Sequence, residues 1–200
     1  MTTATRSRTK RRPPTAEHPV HAYARAVVAG EILAGRLVRL ACERHLRDLE
    51  REDVSFDTEA ADHVLTFFRD FLHLSEGQFA GKPFILSPFQ VFIVGSIFGW
   101  KGLDGYRRFR KAYIEQGKGA GKSPMAGGIG CYGLIADKEP GSEIYSAAVT
   151  KDQAKILFND AKHMIEASPS LMSRVTVNVA NLSVDSTNSF FRPVSHEGRS

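Results

Sequence analysis

Two cysteines, one tryptophan and no run of some 18 apolar residues are what this chain of 200 residues most conspicuously lacks. With only Cys42 and Cys131, each in an apolar stretch, neither a disulfide scaffold nor a cysteine zinc cluster can be built within one chain, and a reducing compartment suits it. The missing apolar run argues against a membrane-spanning helix. The basic N-terminus also leads into Pro13-Pro14 and a charged segment, not into the apolar stretch of a signal peptide. A pervasive basic character is missing too. The net charge of +5 is supplied by Arg6, Arg8, Lys10, Arg11 and Arg12, ahead of the first acidic residue, Glu17; removing those five from 27 basic residues leaves 22 against 22 acidic ones. The basicity is that of a tail, which fits either a solvated terminus or an arm along nucleic-acid phosphates.

What is present is a composition of 42% hydrophobic and 24% charged residues, suited to one globular domain with a sizeable core or to a domain with an appended helical piece. Its most informative stretch is Glu115-Gln116-Gly117-Lys118-Gly119-Ala120-Gly121-Lys122-Ser123. A phosphate-cradling loop needs a turn free of Cβ obstruction, inward N–H groups, an ammonium for the β/γ-phosphates and a hydroxyl for Mg²⁺. Gly121-Lys122-Ser123 supplies the last part. In the usual spacing a glycine stands five residues before the second glycine; here that position is Gln116, with Gly117 one place late and Gly119 extra. The loop reads as a variant, and an ordinary flexible turn is the competing reading.

Taken in order, residues 1–19 read as a mobile Thr/Arg/Pro-rich tail. Val20 to about Arg51 has helical periodicity, weakened at Gly30 and Gly35. Cys42 and His45 could share a helix face as metal ligands, but no second pair accompanies them, so core packing beside a surface histidine is expected. Asp57 is a candidate N-cap for a helix carrying Ala61, Val64, Leu65, Phe68, Phe71 and Leu72. Ser75–Lys82 reads as a turn-rich connector, Pro83–Gln90 as extended up to a Ser-Pro helix start, and Val91–Phe98 as an apolar helix. Gln90 stands out because an amide offers a donor and an acceptor to the two adjacent edge groups of adenine, although a glutamine at a helix start is commonly just surface. Phe109–Ile114 is expected to be the strand delivering the loop and Ser123–Ala136 the helix leaving it, with Pro124 in the first turn and Ala126, Gly127, Gly128 and Gly130 allowing close packing against a strand. A strand at Glu143–Val149 follows. Thr150 and Gln153 then form a capping box before a helix whose apolar face is Ala154, Ile156, Leu157, Ala161, Met164 and Ile165. The alternation of strands and helices predicts right-handed parallel crossovers with ligand at the carboxyl ends of the strands. Val175–Val179 and Ser189–Val194 read as further strands.

Several separated segments, in order, closely resemble the ATPase domain of tailed-bacteriophage terminase large subunits: Leu86-Ser87-Pro88-Phe89-Gln90, Phe98-Gly99-Trp100-Lys101, Lys118 through Pro124, and Tyr145-Ser146-Ala147-Ala148 through Asp152-Gln153-Ala154. Tyr23-Ala24-Arg25 and Ala41 through His45 add to the match, which covers about residues 20–200. The resemblance implies a P-loop NTPase-type α/β fold, with a mostly parallel sheet flanked by helices and incomplete at its C-terminus. The expected division is a basic disordered tail (1–19), an N-terminal helical region (20–82) and a partial ATPase core (83–200). It implies ATP and Mg²⁺ as cofactors, Gln90 as adenine reader, and Gly117, Lys118, Gly119, Ala120, Gly121, Lys122 and Ser123 as the phosphate loop, Lys122 on the β/γ-phosphates and Ser123 also on the metal. Ala120 departs from an asparagine common in the family, which implies weaker or less rigid nucleotide binding. No apolar run ending in Asp-Glu follows the loop, so the metal-orienting Asp and catalytic Glu are expected beyond Ser200 and no catalytic residue within the chain. By the same resemblance the partners are double-stranded phage DNA, a small terminase subunit and the portal, the complete protein acts as a homo-oligomeric ring, no membrane is involved, and the setting is the host cytoplasm. Two other readings remain: a non-catalytic DNA-binding or assembly module with a relic loop, and a small-molecule phosphotransferase.

Overall fold

The computed structural model describes residues 17–75 and 77–195. Helix α1 (Pro19–Ala29) begins where His18 Nδ1 accepts a bond from the Val20 N–H at 3.3 Å, with Pro19 at the first position, where its missing N–H costs nothing. It stops at Gly30, whose φ of +83° is left-handed and suits a residue without Cβ. Helix α2 (Arg36–Asp48) restarts after Gly35. The long helix expected over Val20–Arg51 is therefore two, broken at the two glycines. Residues 17–19, expected in the tail, belong to the fold, and Glu17 pairs with Arg25 at 2.6 Å; the rest of the expected tail, 1–16, lies outside the described residues.

A short antiparallel pair, β1 (Val54–Phe56) with β2 (Trp100–Gly102), brackets helices α3 (Thr58–Phe71) and α4 (Pro88–Gly99). Asp57 caps α3 as expected, its Oδ1 accepting from the Ala60 N–H at 2.9 Å. Helix α4 starts at Pro88, at the expected Ser-Pro start, and Ser87 and Gln90 close a capping box there, so Pro88–Gln90 belong to the helix and not to the extended piece. Next comes α5 (Lys122–Ile135), then β3 (Glu143–Ala148), α6 (Lys151–Glu166), the short α7 (Pro169–Met172), and β4 (Thr176–Val177), β5 (Leu182–Val184) and β6 (Ser189–Ser195).

The main sheet has the order β3-β6-β5-β4. Strands β3 and β6 are parallel, Ile144 opposite Phe191, and are joined by a crossover that includes α6. The pairs β4/β5 and β5/β6 are antiparallel. Among the described residues the expectation of a mostly parallel sheet is thus corrected to a mixed one: the links 178–181 and 185–188 are too short to carry the chain back to the start of a parallel neighbour. Phe109–Ile114 is not a strand either. No described strand pairs with it, and residues 110–113 are exposed.

Two cores result. Phe68, Leu72, Met125, Phe158, Met164, Ile165 and Phe191, each at most 1% exposed, fill the larger one between α3, α5, α6 and the sheet. Val20, Tyr23, Ala24, Val27, Cys42 and Phe92 fill the smaller one around α1, α2 and α4. Helix α4 is apolar on all sides because it serves both. Helix α5 lies close to its neighbours because its glycines leave room: a Cβ would stand 2.4 Å from a Phe68 ring atom at Gly128 and 2.6 Å from the Phe191 ring at Gly130. Of the three glycines expected to face a strand, only Gly130 does; Gly127 meets α6 at Ala161 and Gly128 meets α3.

Candidate functional site

Of the helices α4, α5 and α6, two satisfy their own first turns. Gln90 Oε1 accepts from Ser87 N at 3.0 Å and Ser87 Oγ at 2.9 Å at the head of α4, while Thr150 Oγ1 accepts from Gln153 N at 3.3 Å at the head of α6. Helix α5 differs. Its N-cap is Gly121, with no side-chain cap and no acidic residue in the first turn. Met125 N–H reaches back to Gly121 O at 3.1 Å and Pro124 has no N–H, so the Lys122 and Ser123 N–H groups lie at the positive end of the helix without an intrahelical partner. A helix end of this kind attracts anions.

The loop reaches that end through Gly119 (φ +83°) and Gly121 (φ +73°), left-handed positions that disfavour a side chain. Gly121 is further restricted: a Cβ there would stand 3.1 Å from Gln90 Nε2. Gln90, 6% exposed, therefore lies beneath the loop, its carbonyl oxygen engaged by Ser87.

Gly117, Lys118, Gly119, Gly121, Lys122 and Ser123 line one cavity of about 750 Å³, together with Gln116 and Pro124. Of the expected loop residues Ala120 alone is not part of this lining; it is exposed at the turn, its N–H on Gly117 O at 3.3 Å. The opposite wall comes from α6: Ile156, Asn159, Asp160 and His163. These four have no place in the expected site. Their i, i+3, i+4, i+7 spacing marks one helix face, and its mostly polar membership is the available signal. Ile156, expected in the core, is 56% exposed, while Phe158 is fully buried.

Among the described residues no group of three or more His, Cys, Asp or Glu side chains could hold a metal. A Mg²⁺ ion would therefore need most of its oxygen ligands from a bound phosphate and water. Cys42 and His45 are both buried, not one buried and one at the surface: burial pushes the Cys42 thiol up to about 11, and His45, 3% exposed, lies between Trp100 and His21.

Residues 88–200 match the sequence profile of the family described as terminase large subunit, ATPase domain. The chain belongs to that family. The large terminase subunit of Enterobacteria phage HK97 is similar, 26% identical over 117 residues, which are 58% of this chain and 22% of that protein. The crystal structure of the HK97 bacteriophage large terminase superposes with a TM-score of 0.60 over 70% of this chain and 28% of that one, at 24% identity, a likeness of fold. This terminase-family chain thus spans about a quarter of the length of these relatives, and among its described residues no helix is long and apolar enough to cross a membrane.

Proposed function

We propose that this chain is the ATP-binding part of a phage DNA-packaging motor. In this reading the N–H groups of the 117–123 loop and of the first turn of α5 cradle the phosphates. The Lys122 ammonium takes the β/γ-oxygens, Ser123 the Mg²⁺ that arrives with them, and Lys118 adds a second positive charge. Bound Mg²⁺ would neutralise charge on the phosphates; the chain's own contribution is positioning. The observation that carries the reading is the uncapped α5 N-terminus opening, with Lys122 and Ser123, onto one cavity. In the complete protein, ATP hydrolysis would drive double-stranded DNA through the portal, the subunits acting as a ring with a small recognition subunit. Turnover by this chain alone would be slow, since no apolar run ending in Asp-Glu follows the loop.

Calorimetric titration of Mg-ATP into the chain and its Lys122→Ala variant tests this. The expected result is a loss of affinity of roughly tenfold or more with an unchanged melting curve, as for removal of a charge-assisted phosphate contact. Equal affinities would reject the assignment.

A further inference from the structure

Helix α2 has one buried face and one that no described residue covers. Cys42 and His45 turn inward. On the outside, Leu37, Leu40, Arg44 and Arg47 follow one another at alternating intervals of three and four residues, and Leu33 before the helix and Arg51 after it continue the row. That is the spacing of a seam against which a second helix packs. Leu33, Leu37 and Leu40 are 101%, 67% and 45% exposed. Single apolar residues at a surface need no explanation, but a row of them at seam positions marks a surface made to be covered. The other half of the row is cationic: Arg44, Arg47 and Arg51 line a cavity of about 490 Å³ with Arg108, Asp48 and Glu50. Two of the four guanidinium groups are already engaged, since Arg51 and Arg108 hold the Asp48 carboxylate and Arg51 also pairs with Asp53. Arg44 lies over the Phe109 ring, 4.9 Å from its centroid, and neither it nor Arg47 forms an ion pair among the described residues. Stacking orients a guanidinium and leaves its N–H edge free for a carboxylate.

A partner for this row has to satisfy leucines and arginines along one line. We propose that the outer face of α2 docks an acidic amphipathic helix of another protein, which sets apolar residues against Leu37 and Leu40 and carboxylates against Arg44 and Arg47. A second copy of this chain meets the requirement poorly. The acidic residues of α2 are Asp48, buried beneath Arg51 and Arg108, and Glu43, half-buried and off the row, so two α2 helices would face arginine with arginine or with leucine. Nucleic-acid phosphates would satisfy the arginines but leave the leucines in water. The surface shares no lining residue with the cavity at the loop, so it stands apart from the phosphate-loop reading.

The test uses two cross-linked helical peptides of about 20 residues, long enough to span the row. Both carry leucine at the seam positions of one half; in the other half one carries glutamate and the other lysine. Their affinities are measured by fluorescence anisotropy for the chain, for Leu37→Asp and for the double variant Arg44→Glu/Arg47→Glu, with melting curves to confirm folding. The wild type should bind the glutamate peptide about tenfold more tightly than the lysine peptide, the span expected for two exposed ion pairs and the loss of like-charge contacts, and added salt should narrow the difference. Leu37→Asp should weaken the glutamate peptide by roughly tenfold, as for loss of one buried leucine contact. Arg44→Glu/Arg47→Glu should reverse the preference, a gain of lysine-peptide binding that a misfolded variant could not show. The proposal is overturned if neither peptide binds, if both bind equally, or if the double variant keeps the wild-type preference. It is also overturned if sedimentation shows the wild type to self-associate through Leu37, which makes a second copy the occupant. Duplex DNA bound through Arg44 and Arg47, with no effect of Leu37→Asp and no preference between the peptides, would overturn it in favour of a nucleic acid.

Discussion

His45 and Gln116 are polar side chains set among apolar neighbours, and the fold treats them in opposite ways. His45 Nδ1 accepts from the Trp100 indole N–H at 3.0 Å, and because an indole can only donate, the His45 proton is assigned to Nε2, 2.8 Å from His21 Nδ1. The rings of Phe56 and Phe92 meet it edge-on. Around Asp48 the pattern repeats on a charged group: its carboxylate, also 3% exposed, is met by Arg51 and Arg108. The N-terminal region thus uses its polar groups to join α1, α2 and β2. Around the loop, by contrast, Gln116 and the first N–H groups of α5 lack protein partners among the described residues. Paired polar groups hold a structure together, whereas unpaired ones at a cavity retain their capacity for something that arrives later.

Removing the paired side chain gives the largest effect. His45→Ala deletes buried volume and orphans the Trp100 N–H, so we expect a loss of roughly 2–4 kcal/mol by urea denaturation, with ATP affinity unchanged within about twofold. A large affinity change would show the two regions to be coupled. Acid should act next. Burial lowers the His45 pKa from 6.5 to about 4 and His21 shifts in the same direction. The unfolded chain therefore takes up protons below 6.5 that the folded one refuses until about 4, so this contribution to stability is complete above pH 6.5 and is lost as pH falls toward 4. Melting temperature against pH should decline across that window in the wild type and less steeply in His45→Ala; parallel profiles would exclude His45 as the titrating group. The smallest effect belongs to Gln116→Leu, which removes an unpaired amide and should leave stability unchanged or raise it by up to about 1 kcal/mol. A clear loss of stability would mean that the amide is paired and the contrast with His45 is false.

Local features are readable from the sequence. Asp57 and Thr150 act where capping chemistry predicts, and α5 follows the loop within a residue because Gly121 and Pro124 mark its start. Three things are hidden by distance along the chain. His45 reads as a surface residue because its partners, Trp100 and His21, lie 55 and 24 positions away. Phe109–Ile114 has the composition of a strand, but a strand exists only with a neighbour to bond, which composition does not supply. Hydrophobicity alone assigns Ile156 to the core; α6 packs inward through Ala154, Phe158, Ala161 and Ile165 and turns Ile156 toward the cavity lined by the loop. Part of the candidate site's cavity is legible as Lys122 and Ser123, which the local loop motif singles out and which line it. Its α6 wall is not, since only tertiary packing brings residues 156–163 opposite the loop.

The glycines of α5 also bear on the order in which the molecule assembles. Gly127, Gly128, Gly130 and Gly133 fall within its 14 residues, and each weakens an isolated helix by about 1 kcal/mol relative to alanine. Such a segment does not nucleate by itself. It becomes helical once Phe68, Ala161 and Phe191 are there to receive it. The uncapped end of α5 is therefore a late product of folding, created by the closing of the core, and any ligand reaching the cavity beside it would meet a finished pocket instead of guiding the chain toward one.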